Sequence, residues 1–315
     1  MTPRISIIIP TQRRPEPLAR AVRSAIAQQG VDPTELELVI ADNDSAPSAQ
    51  NLVRSLAAES PFPVVYAHEP LAGVANVRNT ALGQARGELI AFLDDDEEAP
   101  AGWLAALLKV QADVQADVVF GPVRGRAPPQ IVRHRAYFER FFSRVDPAPA
   151  GLIDHYYGCG DSLLRRAALP DPQQPFAPAR NHIGGEDDLL FSQMRAAGAR
   201  FAWAPDAWVW EDPAPERLRL SYTLRRAFAY GHGPVVECAS RQPPDWLGIA
   251  RWTAIGAGQG LVYGAAAAVM WALRAPGRAF MLDRAVRGLG KVFWSKPFEI
   301  QFYGQSAASR PITEP

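Results

Sequence analysis

Leu89-Ile90-Ala91-Phe92-Leu93-Asp94-Asp95-Asp96-Glu97-Glu98 decides how this chain is read. Five consecutive apolar residues suit a strand buried on both faces, as in a parallel sheet. Five acidic residues follow without a break. In an extended segment, residues i and i+2 point to the same side. Asp94 and Asp96 are therefore expected to face one ligand while Asp95 turns away. Neighbouring carboxylates repel unless a cation stands between them. Mg²⁺ or Mn²⁺ suits such oxygen donors and typically keeps positions for water and substrate phosphates. An Asp-x-Asp triplet alone also describes a solvated acidic loop. Its place directly after a buried strand favours a metal and a diphosphate.

The segments on either side alternate strand and helix. Ile5-Ser6-Ile7-Ile8-Ile9 is a β-branched run that Pro10 is expected to stop. Residues 36–41, 64–67 and 117–121 read as further strands. Between them apolar residues recur at helical spacing: Leu18, Ala21, Val22, Ala25 and Ile26, then Leu52, Val53 and Leu56, then Val74, Val77, Ala81 and Leu82. Pro100 stands where a helix would begin, ahead of Trp103, Leu104, Leu107 and Leu108. Short connections and regular alternation predict an α/β fold, with an open, mostly parallel sheet sandwiched by helices. Ligands of such sheets bind outside the carboxyl ends of the strands.

Polar residues collect where that rule points. Pro10-Thr11-Gln12-Arg13-Arg14 follow the first strand, Asp42-Asn43-Asp44-Ser45 the second, and the acidic run the fourth. Each could be a turn or a helix cap. Their shared edge argues for a site. Gly184-Gly185-Glu186-Asp187-Asp188 precede a helical pattern of Leu189, Leu190 and Met194. Acids favour a helix N-terminus through its dipole. Three of them after a glycine pair exceed what a cap requires, which suggests a positioned general base.

In this order, the segments resemble the family 2 glycosyltransferases with the A-type nucleotide-sugar-binding fold, which is Rossmann-like. The resemblance rests on Ile7-Ile8-Ile9-Pro10-Thr11, Ala41-Asp42-Asn43-Asp44-Ser45, Gly73-Val74-Ala75-Asn76-Val77-Arg78-Asn79, Phe92-Leu93-Asp94-Asp95-Asp96 and Gly185-Glu186-Asp187. It covers about residues 5–231. It implies an inverting, metal-dependent enzyme that moves a sugar from a nucleoside diphosphate sugar to a hydroxyl of a glycan or lipid-linked acceptor. Thr11 would line the nucleotide pocket with Pro10, Arg13, Asp44 and Asp95. Asp42 would hydrogen-bond the uracil of a UDP-sugar, and Arg78 would contact the nucleotide. Asp94 would lie near ribose and metal, and Asp96 would ligate the metal directly. Asp187 would be the catalytic base, with Glu186 and Asp188 as neighbours able to shift its pKa. Glu211, in Trp208-Val209-Trp210-Glu211, stands where many relatives carry a histidine. It would ligate the metal or pair with an arginine such as Arg217. The Gln-x-x-Arg-Trp motif of processive synthases is absent, because Gly248 stands three residues before Arg251-Trp252. One sugar per acceptor encounter is expected, in bacterial surface polysaccharide or glycolipid synthesis.

The remainder should hold the acceptor and meet a membrane. Tyr137, Phe138, Phe141 and Phe142 are either a packed helix face or the lining of an apolar acceptor groove. Asp161, in Gly158-Cys159-Gly160-Asp161-Ser162, occupies a place where the family more often has asparagine. Cys159 reads as a buried structural thiol. Residues 216–231 form an amphipathic pattern, and residues 252–273 carry no charge. The second run is long enough to span a bilayer, but Gly256, Gly258, Gly260, Gly264 and Gln259 interrupt it. An interfacial or re-entrant helix, a packed soluble helix and a true span all remain open. Phe293-Trp294 and residues 298–303 suggest a closing aromatic segment and residues 306–315 a frayed tail. The functional partition is a nucleotide-sugar half at 1–125, an acceptor half with the base at 126–232, and a helical, membrane-associated region at 233–315.

Composition narrows the alternatives. Thirty-three basic residues balance 33 acidic ones across 315 residues, so bulk charge gives no hold on nucleic acid. Forty-eight per cent apolar content excludes wholesale disorder. Two cysteines do not make a disulfide framework, and the start of the chain does not read as a signal peptide. Both fit a cytoplasmic protein, peripheral on the inner face of the membrane. A nicotinamide dehydrogenase would want G-x-G-x-x-G after the first strand, and a nucleotidyltransferase a glycine-rich loop there. Neither is present. A non-catalytic nucleotide-sugar-binding or scaffold protein on this fold would be expected to lose the carboxylates, yet Asp94, Asp96 and Asp187 all stand.

Overall fold

The computed structural model describes residues 3–181, 184–298 and 300. They form two compact units, one from residues 3–124 and 144–211, the other from residues 125–143 and the described part of 212–300. The packing units interleave along the chain, so they are not the linear functional partition drawn above. Residues 301–315, which include part of the expected aromatic segment and the whole tail, lie outside the described residues.

The first unit opens with β1 (Ile5–Thr11), α1 (Pro15–Ile26), β2 (Leu36–Asp42), α2 (Gln50–Ala57), β3 (Val64–His68), α3 (Val74–Gln84) and β4 (Leu89–Phe92). It continues with β5 (Glu97–Glu98), α4 (Trp103–Val114), β6 (Val118–Phe120) and β7 (Val123–Gly125). The second unit's α5 (Arg135–Phe141) intervenes. Then come β8 (Gly151–Ile153), β9 (Ser162–Arg165), α6 (Glu186–Ala196), β10 (Phe201–Trp203) and β11 (Val209–Glu211). The main sheet has the order β3-β2-β1-β4-β9-β6-β10-β8. Strands β1 to β4 run parallel, as do β6 and β10, while β9 and β8 are antiparallel insertions. The expected open, mostly parallel sheet between helices is therefore the observed one. A small second sheet orders β5-β11-β7.

Alternation along β1 explains why the run is apolar on both sides. Ile5, Ile7 and Ile9 pack on one face with Leu18 and Val22 of α1 and Leu104 and Leu107 of α4. Ile8 joins Val39, Ile90 and Phe92 on the other face, with Val77 of α3 and Phe191 of α6. Each such side chain contributes roughly 1.5–3 kcal/mol on leaving water.

Pro10 does not stop β1. The strand runs on to Thr11, pairing Pro10 with Ala41 and Thr11 with Asp42. Pairing on the β4 side ends at Ile8, whose carbonyl accepts the Leu93 N–H, so Pro10 lacks its N–H where no ladder partner needs it. The extension carries Thr11 to the level of the second strand's acids.

The second unit is helical: α5, α7 (Leu220–Ser240), α8 (Trp246–Ala272) and α9 (Arg278–Val292). Tyr137 and Phe138 are buried with Ala127, Leu218 and Ala279, which makes the α5 aromatics a packed face. Helix α8 lies tightly on α9, because a Cβ on Gly256 would come within 2.6 Å of the Gly288 carbonyl. The opposite side of α8 is exposed and apolar.

Candidate active site

The carboxyl ends of β1, β2 and β4 bring the polar clusters to one edge. Asp94 to Asp96 are not extended, however. The Glu97 N–H donates to the Asp94 carbonyl at 3.0 Å and closes a tight turn. The separation of sides survives for a different reason. Asp95 is pulled inward, its Oδ2 accepting the Thr11 hydroxyl at 2.8 Å and its Oδ1 the Arg14 guanidinium at 2.9 Å. Asp94 and Asp96 stay half-buried at the rim. Arg14 also reaches Asp96 at 2.9 Å. Burial pushes the Asp95 carboxyl up to about 6 against the pull of Arg14. Burial raises Asp94 as well, with repulsion from Asp96 and Asp187 added. Glu97, buried beneath the turn, accepts the Asp94 N–H at 2.8 Å, and burial holds its carboxyl well above the usual range.

At the β2 end, Asp42 is fully buried and internally occupied. It accepts the Ala49 N–H at 2.7 Å, the Tyr66 hydroxyl at 2.9 Å and the Asp44 N–H at 3.2 Å. Arg13 sits at a left-handed φ of 55° and donates to Asp44 at 2.6 Å, which holds that carboxyl well below the usual range. Asn43 ties the strand end to the α3 entry by accepting the Gly73 N–H at 2.8 Å.

The second acidic cluster meets the first through Arg78. This buried arginine on α3 donates to Glu186 Oε1 at 2.7 Å and lies 3.7 Å from Asp94 Oδ1. Glu186 is thus Arg78's partner. Burial leaves its own carboxyl raised even so. Asp187, half-buried in the first turn of α6, accepts the Cys159 N–H at 3.1 Å through Oδ2. Asp188 is exposed. Glu211 stands opposite Glu97 in the β5–β11 ladder. Cys159 is buried, and burial pushes its thiol up. Residues His182 and Ile183, before the cluster, lie outside the described residues.

Gly158-Cys159-Gly160 runs between the two sets of acids. A Cβ on Gly158 would come within 3.2 Å of Asp187 Oδ2, and one on Gly160 within 2.7 Å of Asp94 Oδ2. Arg144 fastens this strip by donating to the carbonyls of Gly158 at 3.0 Å and Gly160 at 2.8 Å. It also donates to the carbonyls of Asp161 and Gly121. Reading the sequence alone missed Arg14, Glu97 and Arg144. Arg14 adjoins a candidate motif, but nothing local marks Arg144.

Asp161 ends the strip, fully buried at a left-handed φ of 51°. Its Oδ1 accepts the Trp103 indole N–H at 2.7 Å, and Arg144 lies 3.9 Å from Oδ2. Burial pushes its carboxyl up to about 7. Between the ordinary aspartate value and 7, the folded chain keeps a proton that the unfolded chain has released. Stability from this group is therefore full at acid pH and is lost as pH rises towards 7. Asp161→Asn is expected to stabilise the protein by about 4 kcal/mol near pH 8 and to change little near pH 4. Urea unfolding at both pH values checks this, and an equal effect at both would refute it.

Among the described residues no three His, Cys, Asp or Glu side chains converge as a metal-binding group. A hard cation completed by a diphosphate needs only one or two carboxylates. Asp94 and Asp96 supply oxygen donors only, and burial, with repulsion from Asp96 added, raises Asp94. This donor set fits Mg²⁺ or Mn²⁺.

The sequence model described as glycosyl transferase family 2 matches residues 6–171. The chain is 38% identical over 232 residues to the succinoglycan biosynthesis protein ExoM of Rhizobium meliloti, covering 73% of this chain and 74% of that one. It is 31% identical over 108 residues to a GalNAc(5)-diNAcBac-PP-undecaprenol beta-1,3-glucosyltransferase of Campylobacter jejuni, covering 34% of each. Among solved structures, a mannosyltransferase from Pyrobaculum calidifontis in complex with GDP-Man and Mn²⁺ superposes with a TM-score of 0.59 at 20% identity. That superposition covers 93% of this chain and 88% of the other. TarS 1–349 of S. aureus in complex with UDP gives 0.51 at 17% identity, covering 91% and 89%. These two likenesses concern the fold.

Proposed function

Because the chain belongs to glycosyl transferase family 2 and is a glycosyltransferase, we propose that it transfers a sugar with inversion from a UDP-sugar to a hydroxyl of a glycan or lipid-linked acceptor. The observation that carries this reading is the meeting of Asp94, Arg78, Glu186 and Asp187 at the carboxyl ends of parallel strands. Asp187 is the one acid of α6 both spared from an ion pair with Arg78 and oriented by a backbone N–H. It takes the proton of the acceptor hydroxyl as the hydroxyl attacks the anomeric carbon. A positioned carboxylate of this kind is typically worth about a hundred- to ten-thousandfold in rate. Thr11, Arg13, Asp42 and Asp44 frame the nucleotide side. Asp94 and Asp96 would hold Mg²⁺ or Mn²⁺, which when bound would neutralise charge on the leaving diphosphate. Pro10 and Asp95 shape the same edge.

The product class follows from the relatives. ExoM is named for succinoglycan biosynthesis and a second relative for transfer to an undecaprenol-linked glycan. A role in bacterial surface polysaccharide synthesis, one sugar at a time, at the inner face of the cytoplasmic membrane fits both. Helix α8 is long and apolar enough to cross a membrane. Its contact with α9 along one side and its exposed apolar side along the other, which carries no charge after Arg251, favour lying in the interface.

Calorimetry with UDP tests the donor side. Binding is expected with Mn²⁺, to weaken strongly in chelator, and to lose its metal dependence in Asp96→Ala. Equal UDP affinity of the wild type with metal and in chelator would overturn the metal assignment. Binding of GDP but not UDP would change the donor.

A further inference from the structure

We propose that the second unit holds the phosphate of a membrane lipid in a cavity between residues 132–139 and the α8–α9 connection. This rests on the interfacial reading of α8 and adds a headgroup site to it. The cavity measures about 510 Å³, and its lining includes Arg133, His134, Arg135 and Arg278. Arg135 is paired with Glu139 at 2.8 Å. Among the described residues, Arg133 and Arg278 have no carboxylate partner. Arg278 lies over the Trp271 ring at 5.3 Å and donates only to the Arg274 and Ala275 carbonyls.

His134 links these cations. It stands at a left-handed φ of 61° just before α5, with its ring 5.7 Å from that of Trp271. Its Nε2 is buried and makes no hydrogen bond. Burial, then the charges of Arg278 and Arg133, push the imidazole pKa down, so the ring is neutral at neutral pH. Two guanidinium groups without counter-charge and an unused imidazole nitrogen share one cavity. An anion with several acceptor oxygens satisfies all three, and guanidinium forks match phosphate geometry.

The surroundings favour a lipid as the source of that phosphate. Trp271 belongs to the last turn of α8, so the cavity lies near the end of a helix that carries no charge after Arg251. Along that helix Leu261, Ala265, Val269 and Leu273 are exposed on successive turns. Trp246, 72% exposed, marks the opposite end. An apolar stripe with aromatic ends and basic residues beside it is the pattern of a helix lying at the headgroup level. With that stripe at the headgroup level, the phosphates of the lipids beside the helix end stand at the level of the cavity.

Flotation of the full-length protein with vesicles tests the site. Vesicles of phosphatidylcholine alone are compared with vesicles that also contain phosphatidylglycerol. The wild type is expected to bind both, and the anionic ones about tenfold more tightly. Arg133→Ala with Arg278→Ala should abolish that preference and keep binding to phosphatidylcholine. Arg251→Ala with Arg284→Ala removes the same charge outside the cavity and should keep most of the preference. Equal losses in the two pairs would mean diffuse attraction to a charged surface and overturn the site. A wild type that binds both vesicle types equally would overturn the site and leave the interfacial helix standing. A wild type that binds neither would remove both readings. Leu261→Glu is expected to release the protein from both vesicle types. Inorganic phosphate that binds the wild type but not the Arg133/Arg278 pair, without any preference for phosphatidylglycerol, would assign the cavity to a soluble phosphate. A thermal melt of each variant confirms that it is folded.

Discussion

Asp187→Asn is expected to lower the transfer rate by about a hundred- to ten-thousandfold and to leave donor affinity within about twofold of the wild type. Asparagine keeps the shape of the side chain and can still accept the Cys159 N–H through its Oδ1, so the α6 entry should stand. What it lacks is basicity towards the acceptor hydroxyl. Glu186 is not positioned to substitute, since its carboxylate is committed to Arg78, and Asp188 points into solvent. Single-turnover transfer at saturating donor, with UDP affinity measured on the same preparation, separates the two quantities. Turnover close to wild type would remove Asp187 as the base and leave the donor site untouched.

Loss of the Arg78–Glu186 pair should produce the largest change in stability. Both side chains are buried and their hydrogen bond is 2.7 Å long. Removing one member of such a pair leaves the other charged and desolvated, at a typical cost of about 3–5 kcal/mol. Arg78→Ala is therefore expected to lower the urea midpoint steeply at pH 8. The loss should shrink near pH 5, because the Glu186 carboxyl, already raised by burial, then takes up a proton. Arg78→Met combined with Glu186→Leu should recover most of the stability while nucleotide affinity remains impaired. If Arg78→Ala costs less than about 1 kcal/mol at pH 8, water already screens the pair and this account of it is wrong.

The parallel half of the sheet was legible because each buried strand is a short apolar run bounded by turn residues. Ile5 to Ile9 and Leu89 to Phe92 face helices on both sides, and the apolar runs report that directly. The antiparallel insertions β8 and β9 were not legible as sheet members, since Gly151-Leu152-Ile153 and Ser162-Leu163-Leu164-Arg165 each offer only two apolar residues, too few to mark a buried run. The path of β1 through Pro10 depends on where β4 stops pairing, which is a property of the neighbouring strand. The acidic clusters were readable as composition. Their wiring was not: Arg14 meets Asp95 across 81 positions and Arg78 meets Glu186 across 108. The exposed side of Asp94-Asp95-Asp96 was anticipated on the premise of an extended strand, whereas the structure produces it with a turn and an inward pull on Asp95.

The Gly158-Cys159-Gly160 strip also limits how this enzyme can be altered. It meets both groups of carboxylates with backbone and leaves no room for a β-carbon on Gly160. Random substitution there would push Asp94 or Asp187 aside before it touched any acceptor. A library meant to change which hydroxyl is glycosylated should therefore hold these three positions fixed and vary side chains elsewhere. Acceptor choice and catalytic competence would then be separable traits, selected on different stretches of chain.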